Sequence, residues 1–155
     1  MVHQLAKPAL MALALLAQAG IAVAVQLPQT AAPMSAADAT RAFAGKTLLG
    51  PTYDAFIAAD GTTKGITGKP KIVDTFTGTW SVTDNEFCIE RHGVVQTTPA
   101  KDCTKLWRDG YRVFTLWSTR SDGAVVDEVN GYLPYGPKTR AGDIVSQRYQ
   151  KAGGL

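Results

Sequence analysis

Chemistry near neutral pH usually starts from a histidine, a cysteine or a pair of carboxylates, and this sequence offers few of them. It contains two histidines and two cysteines. His3 sits in an N-terminal stretch set apart below. His92 follows Arg91, with no sequence-local nucleophile or second histidine, so it reads as a solvated loop residue rather than a base or ligand. Cys88 and Cys103 form no C-x-x-C motif and lack the clustered histidines of a metal site; a lone pair is expected to be a disulfide in an oxidising compartment. Asp60, Asp84, Asp109 and Asp122 fall in predicted turns, where a carboxylate accepts nearby backbone N–H groups. Asp127 and Glu128 are adjacent, hence on opposite faces of a strand. Asp54 and Asp74 stay without a role, and a dispersed glycosidase-type pair has no sequence-local support. The chain has no G-x-S-x-G, H-E-x-x-H, phosphate-cradling glycine loop or EF-hand pattern. The expectation is no catalytic residue, no cofactor and no metal.

One basic group invites a different chemistry. Arg91, Lys101, Lys105, Arg108, Arg112 and Arg120 interleave with Trp107 and Tyr111, a composition compatible with single-stranded nucleic acid. The net charge is only +3, too weak to argue for a polyanion, and export sets nucleic acid aside as a partner. The group reads as a solvated face, with an anionic glycan or acidic protein as the lesser alternative.

Export is read from the first stretch. Lys7 precedes an apolar run from Pro8 to Ala17, and small-x-small sites follow at Ala17-Gln18-Ala19 and Ala22-Val23-Ala24. That is the anatomy of a secretory signal peptide over 1–24, with cleavage at Ala19 or, preferably, Ala24. A retained anchor is the rival, since Pro8 to Val25 is just long enough to span. No later segment is apolar enough to do so, and no stable membrane insertion is expected after cleavage. Residues 25–34, polar and proline-bearing, read as a flexible lead-in, and 35–150 as a single domain able to bury one core.

The element that organises this domain is Gly78 to Trp117, which holds both cysteines and all three tryptophans. A two-residue turn at Asp84-Asn85 pairs Val82 with Phe87 and Trp80 with Ile89. Alternation then puts Trp80, Val82, Phe87 and Ile89 on a core face, and Ser81, Thr83, Cys88 and Glu90 on the other. A second hairpin is expected to turn at Asp109-Gly110, pairing Trp107 with Arg112 and Leu106 with Val113.

Around this core the sequence predicts a short helix from an N-cap at Ser35 to Gly45, with Ala39 and Phe43 on one face. Strands follow over Thr47–Leu49, Tyr53–Ala59, Thr62–Thr67 and Lys71–Thr77, and another over Ala124–Leu133. The C-terminal stretch from Ala141 is one more strand or a docked helix. Seven to nine short strands at hairpin spacing give a mainly all-β domain, an antiparallel meander closing into a barrel or strongly curled sheet.

The motifs G-T-W-S-V-T-D, F-C-I-E and C-T-K-L, preceded by G-K-T-L-L-G, resemble a group of small exported bacterial domains of unknown function. These share a G-x-W strand and two cysteines about a β-hairpin. The likeness covers about Ala39 to Trp117 and implies a periplasmic or secreted location, but brings no established activity. Gly78-Thr79-Trp80 also resembles, weakly, the G-x-W strand of lipocalins and avidins.

Three functions fit. The first is a binding module for a small apolar ligand or an envelope protein. The second is an inhibitor-type interaction protein acting through a disulfide-pinned loop over 93–102. The third is a hydrolase with dispersed carboxylates. If Cys88 and Cys103 face outward, Trp107, Phe114 and Leu116 form an outer apolar group with Arg112 beside it. This is either a partner site or a surface covered by the N-terminal helix.

Overall fold

The computed structural model describes residues 24–68, 71–134 and 136–151. The predicted signal peptide therefore lies, but for Ala24, outside the described residues. No helix among the described residues is long and apolar enough to cross a membrane. Among the described residues, nine strands and two short helices run in the order β1 (Ala32–Pro33), α1 (Ala36–Phe43), β2 (Lys46–Leu49), β3 (Tyr53–Ile57), β4 (Thr62–Thr67), β5 (Asp74–Thr83), β6 (Glu86–Gly93), β7 (Ala100–Asp109), β8 (Arg112–Thr119), β9 (Lys138–Ala141) and α2 (Ser146–Lys151). The strands form one antiparallel sheet in the order β8-β7-β6-β5-β4-β3-β2-β9, with β1 against the far half of β7. The sheet curls into a half-barrel.

The central hairpin pairs as its alternation requires: Thr83 with Glu86, Val82 with Phe87, Ser81 with Cys88 and Trp80 with Ile89. Asp84 supplies the left-handed turn residue at φ 52°. Phe87 and Ile89 are buried in the inner core, with Trp80 and Val82 packed against them. The cysteines face outward, opposite each other on β6 and β7, and form a disulfide with Cα atoms 4.1 Å apart. Such a bond suits an oxidising compartment. The glycine of the G-x-W strand has a steric cause: a Cβ on Gly78 would lie 1.9 Å from the Glu90 carbonyl oxygen. Gly65 is needed likewise, because the Phe76 ring lies where its Cβ would be, at 2.2 Å.

Helix α1 closes one end of the half-barrel. The Ser35 hydroxyl accepts the Asp38 N–H at 3.1 Å, and Lys46 Nζ donates to the Ala42 carbonyl at 2.9 Å, so both helix ends are satisfied. Ala39 and Phe43 point inward as their spacing predicts, and the Phe43 ring stacks 4.4 Å from that of Phe87. At the same end Trp80 is half-buried and donates its indole N–H to the Ala58 carbonyl at 2.7 Å. Because it is not fully buried, Trp80→Ala is expected to cost about 2–3 kcal/mol, below the range for a fully enclosed aromatic, by urea denaturation.

Several expectations are corrected. The second hairpin turns at Gly110-Tyr111 instead of Asp109-Gly110, closed by Asp109 opposite Arg112. Gly110, at φ 59°, takes the first turn position, where a type II′ turn wants glycine. The shift is two residues, so every side chain keeps its face. Residues 25–34 are part of the fold and no loose lead-in: β1 pairs with Trp107 and Arg108, Val25 donates to the Tyr132 carbonyl at 2.7 Å, and Met34 is buried. The stretch Ala124–Leu133 is not a strand. Asp127 accepts the N–H groups of Val129 and Asn130, winding it into turns until Leu133 bridges to Thr115 of β8. The stretch after Ala141 takes the docked-helix alternative, with α2 against β4, while a strand not expected, β9, ends at Ala141 and pairs with β2.

Leu133 at the β8 edge and Lys138 in β9 are five residues apart in sequence, so these two edges lie within about 18 Å of each other.

Candidate functional site

The side chains expected to form a partner surface lie on the outer face of the β7–β8 hairpin, as their alternation demands, but they do not form an open patch. Phe114 and Leu116 are buried, at 1% and 4% exposure. Helix α1 is not their cover, because it packs on the inner face. The N-terminal chain is: it passes from Tyr132 on one flank of the hairpin to Trp107 on the other, with Thr30 bonded to Asp109 near the tip. Trp107 packs edge-on against Tyr132 with ring centroids 5.1 Å apart. Arg112 is exposed, its guanidinium 5.0 Å over the Phe114 ring. The group is a secondary core, closed by residues that composition alone made look loose.

The open space lies inside the half-barrel, at the end opposite α1. A cavity of about 510 Å³ is lined there by Leu48 from β2, Phe87 and Ile89 from β6, Thr104 from β7, and Thr115 and Trp117 from β8. Leu133 and Pro137 line it as well. Its size is that of a small-molecule site. Trp117 faces inward, as the hairpin alternation predicts.

A polar group sits at the mouth. Counting inward positions from Phe87 through Ile89 brings Arg91 to the same face, and Leu106 through Thr104 brings Asp102. The two form an ion pair within the curl of the sheet, with side chains 16% and 10% exposed. Asp102 also accepts the Ser121 N–H at 2.8 Å, and Arg91 donates to the Ser121 hydroxyl at 3.2 Å. Burial acts to raise the Asp102 carboxyl, but the Ser121 N–H and the Arg91 guanidinium outweigh it and hold the group below the usual carboxylate range. The same guanidinium lies 5.0 Å over the Tyr53 ring, which meets Phe76 edge-on at 5.9 Å. Burial, with Asp102 beside it and Arg91 opposing, pushes the Tyr53 phenol up to about 12. Tyr53 therefore stays a neutral donor across the physiological range. Its hydroxyl makes no hydrogen bond to another described residue. On the opposite rim Arg120 stands 5.7 Å over the Trp117 ring and pairs with Asp122.

Asp74 and Asp54 have structural work. Asp74 receives the N–H groups of Thr75, Val94, Val95 and Gln96, which hold its carboxyl low against the effect of burial and fix the chain after β6. Asp54 is buried and bonded to Arg148 of α2 at 3.2 Å. A glycosidase-type pair needs one carboxyl raised as the acid. The two that line the cavity, Asp102 and Asp122, are both lowered by their partners. His92 is exposed, as expected, but lies within β6 opposite Thr77 and not in a loop. The loop expected over 93–102 is shorter, because Ala100 to Asp102 already belong to β7, and its brace is Asp74 more than the disulfide.

Sequence reasoning missed Tyr53, Arg91 and Asp102 as site residues. Arg91 was counted within a solvated basic face. The period-2 alternation that placed Ile89 inside carried the signal for Arg91 as well. No protein-family model, curated protein or solved structure matches the chain.

Proposed function

We propose that the protein is an exported binding module that takes a small, largely apolar ligand into the open end of its half-barrel. The cavity carries this reading: apolar walls from Leu48, Phe87, Ile89, Trp117 and Leu133 enclose a ligand-sized volume, with a few convergent polar groups at the mouth. Location in the periplasm or outside the cell is supported by the disulfide and by the apolar run at Pro8 to Ala17. Titration with N-phenyl-1-naphthylamine, a neutral fluorophore that brightens in apolar surroundings, tests the idea. Saturable one-to-one binding is expected. Thr104 faces the cavity across from Phe87, so Thr104→Phe should fill the space and weaken binding at least about tenfold, with little change in melting temperature. Absence of saturable binding, or a variant that binds as the parent does, overturns the reading. Native purification followed by mass spectrometry identifies the ligand carried in the cell.

A second reading, an inhibitor-type protein contact, has one favourable observation. Val94 and Val95 are 61% and 75% exposed on a loop that Asp74 holds rigid, as an inhibitory loop requires. Replacing both valines with serine separates the readings. Capture of a cell-wall hydrolase or protease would be lost, while fluorophore binding would persist.

A further inference from the structure

The cavity does not end at Tyr53. A second hollow of about 520 Å³ opens on the other side of that residue, and the two share Pro51, Thr52, Tyr53, Arg91, Ser121 and Asp122 as a common rim. The walls differ in kind. Beyond Tyr53 the lining is mixed and more polar, with Thr67, Gln96 and Thr98 standing among Val73, Phe76 and Pro99. We infer that the two hollows form one site for a single-chain amphiphile with an uncharged, hydroxylated head, its chain in the apolar chamber and its head in the polar groove. This rests on the binding reading above and names its ligand class.

Charge selects the head. Each charged group at the site is already met within the protein: Arg91 by Asp102, Arg120 by Asp122, and Asp74 by four backbone N–H groups. A carboxylate or phosphate head at Arg91 would compete with Asp102 for the guanidinium, and a cationic head would compete with Arg91 for Asp102. Either exchange leaves a partly buried charge of that pair without its partner, whereas the Arg120–Asp122 pair at the rim is exposed. A hydroxylated head makes no such demand. It can accept from the Tyr53 hydroxyl, which has no described partner, and exchange hydrogen bonds with Thr98 and the Gln96 amide. The ion pairs then serve as fixed dipoles at the neck between chain and head. Asp74 has a place in this arrangement too. By binding the backbone of residues 94–96 it holds Gln96 at the groove wall, and Gly93 is required because a Cβ there would meet the Asp74 carboxylate at 2.2 Å.

Isothermal calorimetry on the purified, disulfide-bonded protein tests this with ligands of one chain length. These are octyl glucoside below its micelle concentration, octanoate, octyltrimethylammonium, 1-octanol and free glucose. Octyl glucoside is expected to bind at least about tenfold more tightly than each of the others. In the Gln96→Ala/Thr98→Ala double variant, whose altered side chains are exposed on the loop, its affinity is expected to fall about five- to tenfold, with octanol unchanged. Octanoate or the ammonium binding as tightly as the glucoside, or a double variant without effect, overturns the head class. In that case octanol and naphthylamine binding leave the apolar cavity standing. If no chain-bearing ligand binds and the naphthylamine also fails, the binding reading falls together with this one.

Discussion

Replacing Phe87 with alanine is expected to lower stability by about 3–5 kcal/mol, the range for deleting a large buried aromatic. Phe87 is 5% exposed and stands where three parts of the fold meet. Its ring stacks on Phe43 of the closing helix at 4.4 Å and lies 6.0 Å from Trp80 across the hairpin. The side chain also lines the cavity. Truncation therefore releases α1 from the sheet and enlarges a space that is already open, so little collapse can offset the loss. Chemical denaturation should show the midpoint falling with the m-value kept, provided the transition stays two-state. Phe87→Leu, which keeps most of the volume, should recover the greater part of the loss. A cost for Phe87→Ala near that of a surface change would mean the helix does not dock where it is placed.

Asp102→Asn is expected to cost about 3–5 kcal/mol, because it strands the Arg91 charge inside the curl of the sheet. The effect carries a pH signature. The Asp102 carboxyl is held below its ordinary range in the folded protein, whereas in the unfolded chain it titrates near 4. Its contribution is thus present in full above about pH 5 and is lost as the pH falls through 4 toward the folded value. The variant has no such group to protonate. The gap in stability between parent and variant should therefore be widest at neutral pH and narrow steadily below about pH 4. A gap that stays constant from pH 7 to pH 3 would show that the ion pair is not the cause.

These two residues also mark how far the sequence could be read. Phe87 was legible because an alternating hairpin with a short turn leaves one register that buries its apolar side. Trp80, Val82, Phe87 and Ile89 could go nowhere else, and the outward cysteines followed. Ala39 and Phe43 were legible by helical spacing. Arg91 and Asp102 were not, though they obey the same alternation, because charge was taken as a sign of the solvent face. A curled sheet has an inner face that stays wet at an open end, and a paired charge can lie there. The outer group of Trp107, Phe114 and Leu116 was placed on its face correctly and misjudged in exposure. Its cover comes from residues 25–31 and from Tyr132, distant in sequence and without periodicity to announce them. Tyr53 had no local signal at all, since only the curl brings it beside Arg91.

The pairing of β9 has a consequence for folding kinetics. β9 completes the sheet by pairing with β2, and the Thr47 hydroxyl donates to the Gly142 carbonyl from 95 positions away in sequence. Closing so long a loop is slow in comparison with the hairpins between β2 and β8, each of which joins near neighbours. The meander can therefore assemble first, from the N-terminal side as the chain emerges, while β2 waits with a bare row of backbone donors and acceptors. An unpaired strand of that kind is where chains pair with one another. β9 and α2 thus act as a latch. Until they arrive the sheet is formed but sticky, and their docking ends the interval in which the chain is open to aggregation.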